Sequence, residues 1–351
     1  MKASMTEFIR GLPKAELHVH IEGTLEPELA FQLAAKHRLG QSHATVDDLR
    51  RAYQFSDLQS FLDIYYAGAD VLRDEEDFYL LTQAYLGKAH SQGVVHVEIF
   101  FDPQAHSARG VAFHTVLDGM RRALLESEQK SGMTFRLIPC VLRHSSAREA
   151  MSMLAQVLPH RDTIAALGLD STESGHPPAK FREVFARARR AGLPAVAHAG
   201  EEGPPAYIHE ALDVLKVRRI DHGVRCDEDE ALMARLARER VPLTMCPLSN
   251  VKLRVFDRIE SHNLRRLLER GLCVTVNSDD PAYFGGYLLE NYLAVWEALA
   301  LTREQLVLLA RNSIEASFLE PGPKRRWREA IDSYVDAYVG GDCGGGGGGG
   351  A

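Results

Sequence analysis

The sequence predicts an α/β chain closed into a parallel (β/α)8 barrel of the TIM type, with extra helices capping its C-terminal mouth and C-terminal helices packed outside. Eight short apolar, β-branched runs alternate with amphipathic stretches rich in Ala, Leu, Glu and Arg. That alternation is the pattern of a parallel strand followed by its crossover helix. The segment after the first run is longer than one barrel helix requires. Each cluster of His, Asp and Glu also closes an apolar run, where barrels of this kind gather their chemistry.

The first strand is placed at Ala15–Ile21, and strand alternation turns His18 and His20 to one face as a chelating pair. Residues 26–92 should hold several helices that form the cap. Phe55, Phe61, Tyr65 and Tyr66 lie there at helical spacing and read first as core. Strands two to four are expected at Val94–Phe101, Phe135–Leu142 and Ile164–Asp170, with a helix at Ala147–Val157. A helix at Phe181–Ala191 leads to strand five at Pro194–His198, which opens the run His198-Ala199-Gly200-Glu201. Strand six, Arg219–Gly223, carries His222; a helix at Glu228–Glu239 leads to strand seven, Pro242–Cys246. Strand eight, Cys273–Asn277, delivers Ser278-Asp279-Asp280, and Leu288–Ala300, Arg303–Ser317 and Lys324–Tyr338 read as the closing helices. Residues 1–342 are taken as one domain with its cap, and 343–351 as a disordered tail. Gly344 to Gly350 have no side chains to bury and much backbone entropy to lose.

Hydrophobic residues make up 45% of the 351, enough for a large core, and the net charge is −7 without a long Lys/Arg block. The usual electrostatic basis for nucleic-acid binding is missing, so a small-molecule partner is expected. No apolar stretch approaches bilayer length, and Met1–Glu7 has no apolar core behind a basic end. A cytoplasmic protein, with no membrane partner, is the expectation; a homo-oligomer is left open. Cysteines 140, 226, 246, 273 and 343 are odd in number and scattered, and read as reduced thiols.

Three imidazoles and one carboxylate, His18, His20, His198 and Asp279, form a ligand set suited to one divalent metal ion, zinc above others, with room for water. Zinc brings the pKa of bound water to about 7. Glu201, three residues past His198, can shuttle a proton, and His222 can orient or deprotonate the water and steady its charge. Together they suggest hydrolytic attack on an sp² carbon. Paired-metal barrels often bridge their ions through a strand-four lysine; Ile164–Asp170 has none, which favours a single ion.

Leu12-Pro13-Lys14-Ala15-Glu16-Leu17-His18-Val19-His20, His198-Ala199-Gly200-Glu201, Asp221-His222-Gly223 and Ser278-Asp279-Asp280-Pro281 resemble, in order and spacing, the motifs of the adenosine/adenine deaminase family of the amidohydrolase superfamily. The resemblance spans nearly the whole chain. It implies that His18, His20, His198 and Asp279 bind zinc, that Glu201 protonates purine N1, that His222 positions hydroxide at C6 and that Asp280 bonds N7. It also puts Glu22 and Gly175 among the substrate-binding residues. Glu22 stands where adenosine deaminases typically carry an Asp that touches ribose, and the longer side chain can fill the sugar's space. Cys246–Phe256 and Asp279–Tyr287 are similar to the adenine deaminase branch. Conversion of adenine to hypoxanthine and ammonia, a step of purine salvage, is therefore expected. An N6-substituted adenine, cytokinin-like and losing an alkylamine, is the alternative substrate, with pocket residues expected around 58–66, 71–78 and 101–106. Adenosine is a further alternative. A catalytically silent binding relative is the non-enzyme reading, opposed by the complete motif set.

Overall fold

A computed structural model describes residues 2–39 and 44–342, so the expectation for the tail at 343–351 lies outside the described residues. Eight strands appear where the apolar runs place them: β1 Lys14–His20, β2 Val94–Phe101, β3 Thr134–Leu142, β4 Gly168–Asp170, β5 Val196–Ala199, β6 Arg219–His222, β7 Pro242–Met245 and β8 Cys273–Val276. They pair in parallel as two four-stranded sheets, β1 to β4 and β5 to β8. Single bridges, Leu167 to Ala195 and Val19 to Asp279, join the sheets at both seams and close the barrel. β4 is shorter than the expected Ile164–Asp170 run, because Ile164 and Leu167 pair through isolated bridges with different neighbours, Leu137 and Ala195. The register of β1 against β2 shifts between Glu16 and Val19. Glu16 thereby reaches Tyr85 on the helix Glu75–Ser91, while His18 and His20 keep one face.

Helices fill the crossovers, among them Ala147–Val157, Arg182–Arg190 and Glu230–Glu239, each with an apolar stripe buried on the strands. Arg303–Ala316 lies on the outside of the β8–β1 seam: Asn312 donates to the Val274 carbonyl at 2.9 Å and Ser313 Oγ accepts from the Ala15 amide at 2.9 Å. The last helix, Pro321–Asp342, packs Tyr334 against Phe8 of the N-terminal helix.

Of the four helices between residues 27 and 91, Leu58–Gly68 covers the barrel mouth. Its Leu58, Phe61, Leu62 and Tyr65 form a separate apolar cluster with Leu253, Tyr283 and Phe284. Glu75–Ser91 belongs to the outer ring: its Phe78 packs against Gly119 of the helix Phe113–Ser131. No helix among the described residues is long and apolar enough to cross a membrane.

Candidate active site

His18 and His20 leave β1 toward the barrel axis, and their Nε2 atoms lie 3.2 and 3.4 Å from Asp279 Oδ1. His198 Nε2, from β5, lies 3.2 Å from His20 Nε2. Phe100 of β2 packs its ring 5.0 Å from those of both His18 and His20, shielding them from below. The outer nitrogens are held from behind. His198 Nδ1 donates to the Leu169 carbonyl at 3.1 Å. Thr244 Oγ1 donates to Asp221 at 2.9 Å, so its remaining lone pair accepts from His18 Nδ1 at 3.0 Å. These partners leave the Nε2 lone pairs of His18 and His198 facing inward. His18 Nε2 is buried without a hydrogen-bond partner, and convergent lone pairs with a carboxylate between them are what a divalent ion requires. The four expected ligands fit a metal ion on that chemistry.

Two of the site's residues hold left-handed backbones uncommon outside glycine: His222 at φ 62° and Asp279 at φ 65°. Asp279 is fixed there by donating to the His18 carbonyl and accepting from the His20 amide, both at 3.0 Å. Ser249 Oγ donates to its Oδ2 at 2.6 Å. Burial alone would raise the Asp279 carboxyl, but the imidazoles of His18, His222 and His20 override it and hold the group below the usual carboxylate range. Burial pushes His20 down to about 4 and His222 to about 3, so both rings are neutral.

The proton on His222 can be placed. The Leu264 amide donates to His262 Nδ1 at 3.1 Å, which puts the His262 proton on Nε2. That proton goes to Asn250 Oδ1 at 3.2 Å, and Asn250 therefore turns its amide nitrogen to His222 Nδ1 at 3.4 Å. His222 consequently carries its hydrogen on Nε2, which faces Glu201 Oε2 at 3.5 Å and Asp279 Oδ2 at 3.9 Å.

Glu201 and Asp280 are both buried carboxyls with one oxygen lacking a partner among the described residues. Burial, reinforced by Asp279, raises both well above the ordinary carboxylate range, which favours the protonated, donating form. Glu201 rides on a loop tied down by a residue the sequence did not single out. The Glu173 carboxylate accepts from four consecutive amides, Gly200, Glu201, Glu202 and Gly203, at 2.7 to 3.0 Å. A β-carbon at Gly203 would stand 2.5 Å from that carboxylate, and one at Gly23 would stand 1.8 Å from Asp280 Oδ1. Only glycine permits either approach.

One cavity is faced by His20, His198, Glu201, His222, Asp279 and Asp280, with Asp102 and Asp170 in its wall and Leu58, Phe61, Leu62, Tyr65, Tyr66, Leu253 and Phe284 closing it. Phe61, Tyr65 and Tyr66 thus belong to the cavity as well as to the cap's packing, whereas Phe55 packs on Phe61 and Phe284. Of the expected pocket segments, 58–66 and 101–106 contribute to the lining; 71–78 contributes none of it.

Two of the expected substrate contacts lie elsewhere. Glu22 is buried but does not line the cavity; its carboxylate accepts from the Asp102 amide at 3.0 Å, from His106 Nε2 at 2.7 Å and from Tyr65 Oη at 3.4 Å. Gly175 is exposed at φ 77°, its β-carbon position open to solvent, and is absent from the lining. The turn, rather than a ligand, explains its glycine.

A closed parallel barrel with three inward imidazoles, an aspartate and a Glu–His pair at its C-terminal mouth defines the amidohydrolase class. The model of one family within that class, Adenosine deaminase, matches residues 13–334, and the chain belongs to it. It is 56% identical over 331 residues to an adenine deaminase of Hahella chejuensis, covering 94% of this chain and 99% of that protein. The crystal structure of adenine deaminase from Arthrobacter aurescens superposes with a TM-score of 0.91 at 49% identity, over 92% of this chain and 99% of that one. An amidohydrolase from Burkholderia ambifaria, solved with bound Zn, gives 0.88 at 25% identity over 97% and 96% of the chains.

Proposed function

We propose that this protein hydrolyses adenine to hypoxanthine and ammonia, with one zinc ion held by His18, His20, His198 and Asp279. One observation carries the reading: two buried carboxyls, Glu201 and Asp280, each with an oxygen that has no hydrogen-bond partner among the described residues, face the same cavity as the ligand set. N1 and N7 of adenine are both acceptors, and each needs a donor. Relatives more than half identical across the chain, named for adenine deamination, support the substrate.

Zinc held there supplies the Lewis acidity that lowers the pKa of water to about 7. Glu201 gives its proton to N1 and draws electrons away from C6. His222, neutral with hydrogen on Nε2, donates to the attacking oxygen; the bond chain behind it supports orientation and charge stabilisation over proton abstraction. Asp280 donates to N7. Left as a carboxylate, Glu201 takes a proton from the water as its oxygen bonds to C6 and passes it to N6; the C6–N6 bond breaks, ammonia leaves, and the C6 hydroxyl returns its proton to Glu201 as the C6 carbonyl forms.

The test is kcat/KM for amine release from adenine, adenosine and N6-isopentenyladenine by the zinc-loaded protein. Adenine should lead by orders of magnitude; preference for either of the others overturns the substrate, and activity surviving complete chelation overturns the metal's role.

A further inference from the structure

With C6 at the ligand cluster, Glu201 at N1 and Asp280 at N7, the purine edge bearing N3 and N9 still has to be matched. We propose that Asp102 determines specificity at that edge: its Oδ1 accepts the N9–H that a free purine base carries and a nucleoside lacks. The inference rests on the proposed function above.

Asp102 directly follows β2, is 1% exposed and forms part of the cavity wall. Its Oδ1 is buried and accepts no hydrogen bond among the described residues, a costly state for a carboxyl oxygen unless a ligand completes it. The residue lies on the Asp280 side of the site: Glu22 holds its amide at 3.0 Å, and Asp280, the N7 group, abuts the adjoining Gly23. Glu201 instead faces His222 at 3.5 Å, on the loop that Glu173 ties down. The five-membered ring therefore faces Asp102, and N9 is that ring's donor.

Glu22 completes the arrangement from behind. Its carboxylate receives the Asp102 amide and is saturated by His106 and Tyr65. It sets the place of Asp102 instead of entering the sugar's space itself. Alkylation at N9 removes the donor and leaves Oδ1 buried without a partner. Sites built around such a bond reject analogues lacking it by as much as about 10⁴-fold.

The experiment compares kcat/KM for adenine and 9-methyladenine in the wild type, D102L and D102N, with metal content measured in each. The wild type should favour adenine by about 10³-fold. D102L, similar in shape but without an acceptor, should bring the preference below about tenfold, chiefly through loss of adenine turnover, and D102N, which keeps a carbonyl oxygen, should recover much of it. Metal content should stay at one ion per chain. If D102L does not fold, D102A reads the same ratio. A preference unchanged in the variants means that shape excludes the methyl group and overturns the inference, as does a wild type that accepts 9-methyladenine within about threefold. A second ion lost with Asp102 also overturns it, since His20, Asp102 and Asp170 are close enough to hold one. A wild type inert toward adenine would instead remove the proposed function itself.

Discussion

At the residue scale, the reaction depends on which atoms carry hydrogen. Burial and the neighbouring Asp279 push the Glu201 carboxyl well above the ordinary carboxylate range. Glu201→Gln should leave metal content unchanged and lower kcat by about 10²- to 10⁴-fold, measured by ammonia release beside metal analysis. Asn250 sets His222 from behind, and Asn250→Ala should cost about 10- to 100-fold in kcat with KM little altered, as loss of an orienting partner does. The grouping of the proposed ligands with Glu201 was legible because strand alternation and spacing from a strand end fix where such side chains point. Asn250 and His262 were not. Their part depends on hydrogen-bond directions from a distant amide, Leu264, and no periodicity records them. Glu22 shows the opposite case: its length was read correctly, but three partners from other elements decide where its carboxylate goes.

At the scale of elements, the eight strands and six of the helices could be placed from apolar periodicity, though Phe113–Ser131 was not among them, and the site followed from where the strands end. Loops escaped because their residues answer to neighbours across the barrel. Glu173, two residues before Gly175, has no pattern around it, yet it organises the turn that carries Glu201. Glu173→Gln replaces one accepting oxygen by a donor opposed to backbone N–H groups. It should destabilise the protein by about 1–3 kcal/mol in urea unfolding and lower kcat more than it raises KM. The cap was expected over 26–92; Glu75–Ser91 sets its Phe78 against Gly119 of Phe113–Ser131, a contact between distant elements that local periodicity does not record.

Across the whole molecule, the barrel interior carries charge as well as apolar packing. Arg219 of β6 donates to Glu98 of β2 at 2.5 Å, to Asp221 at 3.2 Å and to the Leu17 carbonyl at 3.0 Å. Burial would raise Glu98, but Arg219 dominates and holds it at about 2, against an ordinary 4.5. The unfolded chain binds more protons at Glu98 between those values. Its contribution is complete above pH about 4.5 and is lost as pH falls toward 2. Glu98→Gln should therefore flatten the stability slope in that window and cost about 3 kcal/mol near neutrality, where Arg219 would keep Asp221 but lose one of its two carboxylates. Denaturant unfolding from pH 2.5 to 7 would check both.

The bridge between Val19 and Asp279 has a larger meaning. Its two backbone bonds belong to His18, His20 and Asp279, so the first and last staves of the barrel are fastened at the residues that would grip the ion. A metal there is a clasp on the hoop. Stripping it should loosen the fold along one line, with the His20 and Asp279 amides exchanging hydrogen faster while those of β2 and β3 keep their protection, an outcome that residue-resolved exchange can read. The seam and the proposed ligand set then share the same residues, so what disturbs one disturbs the other.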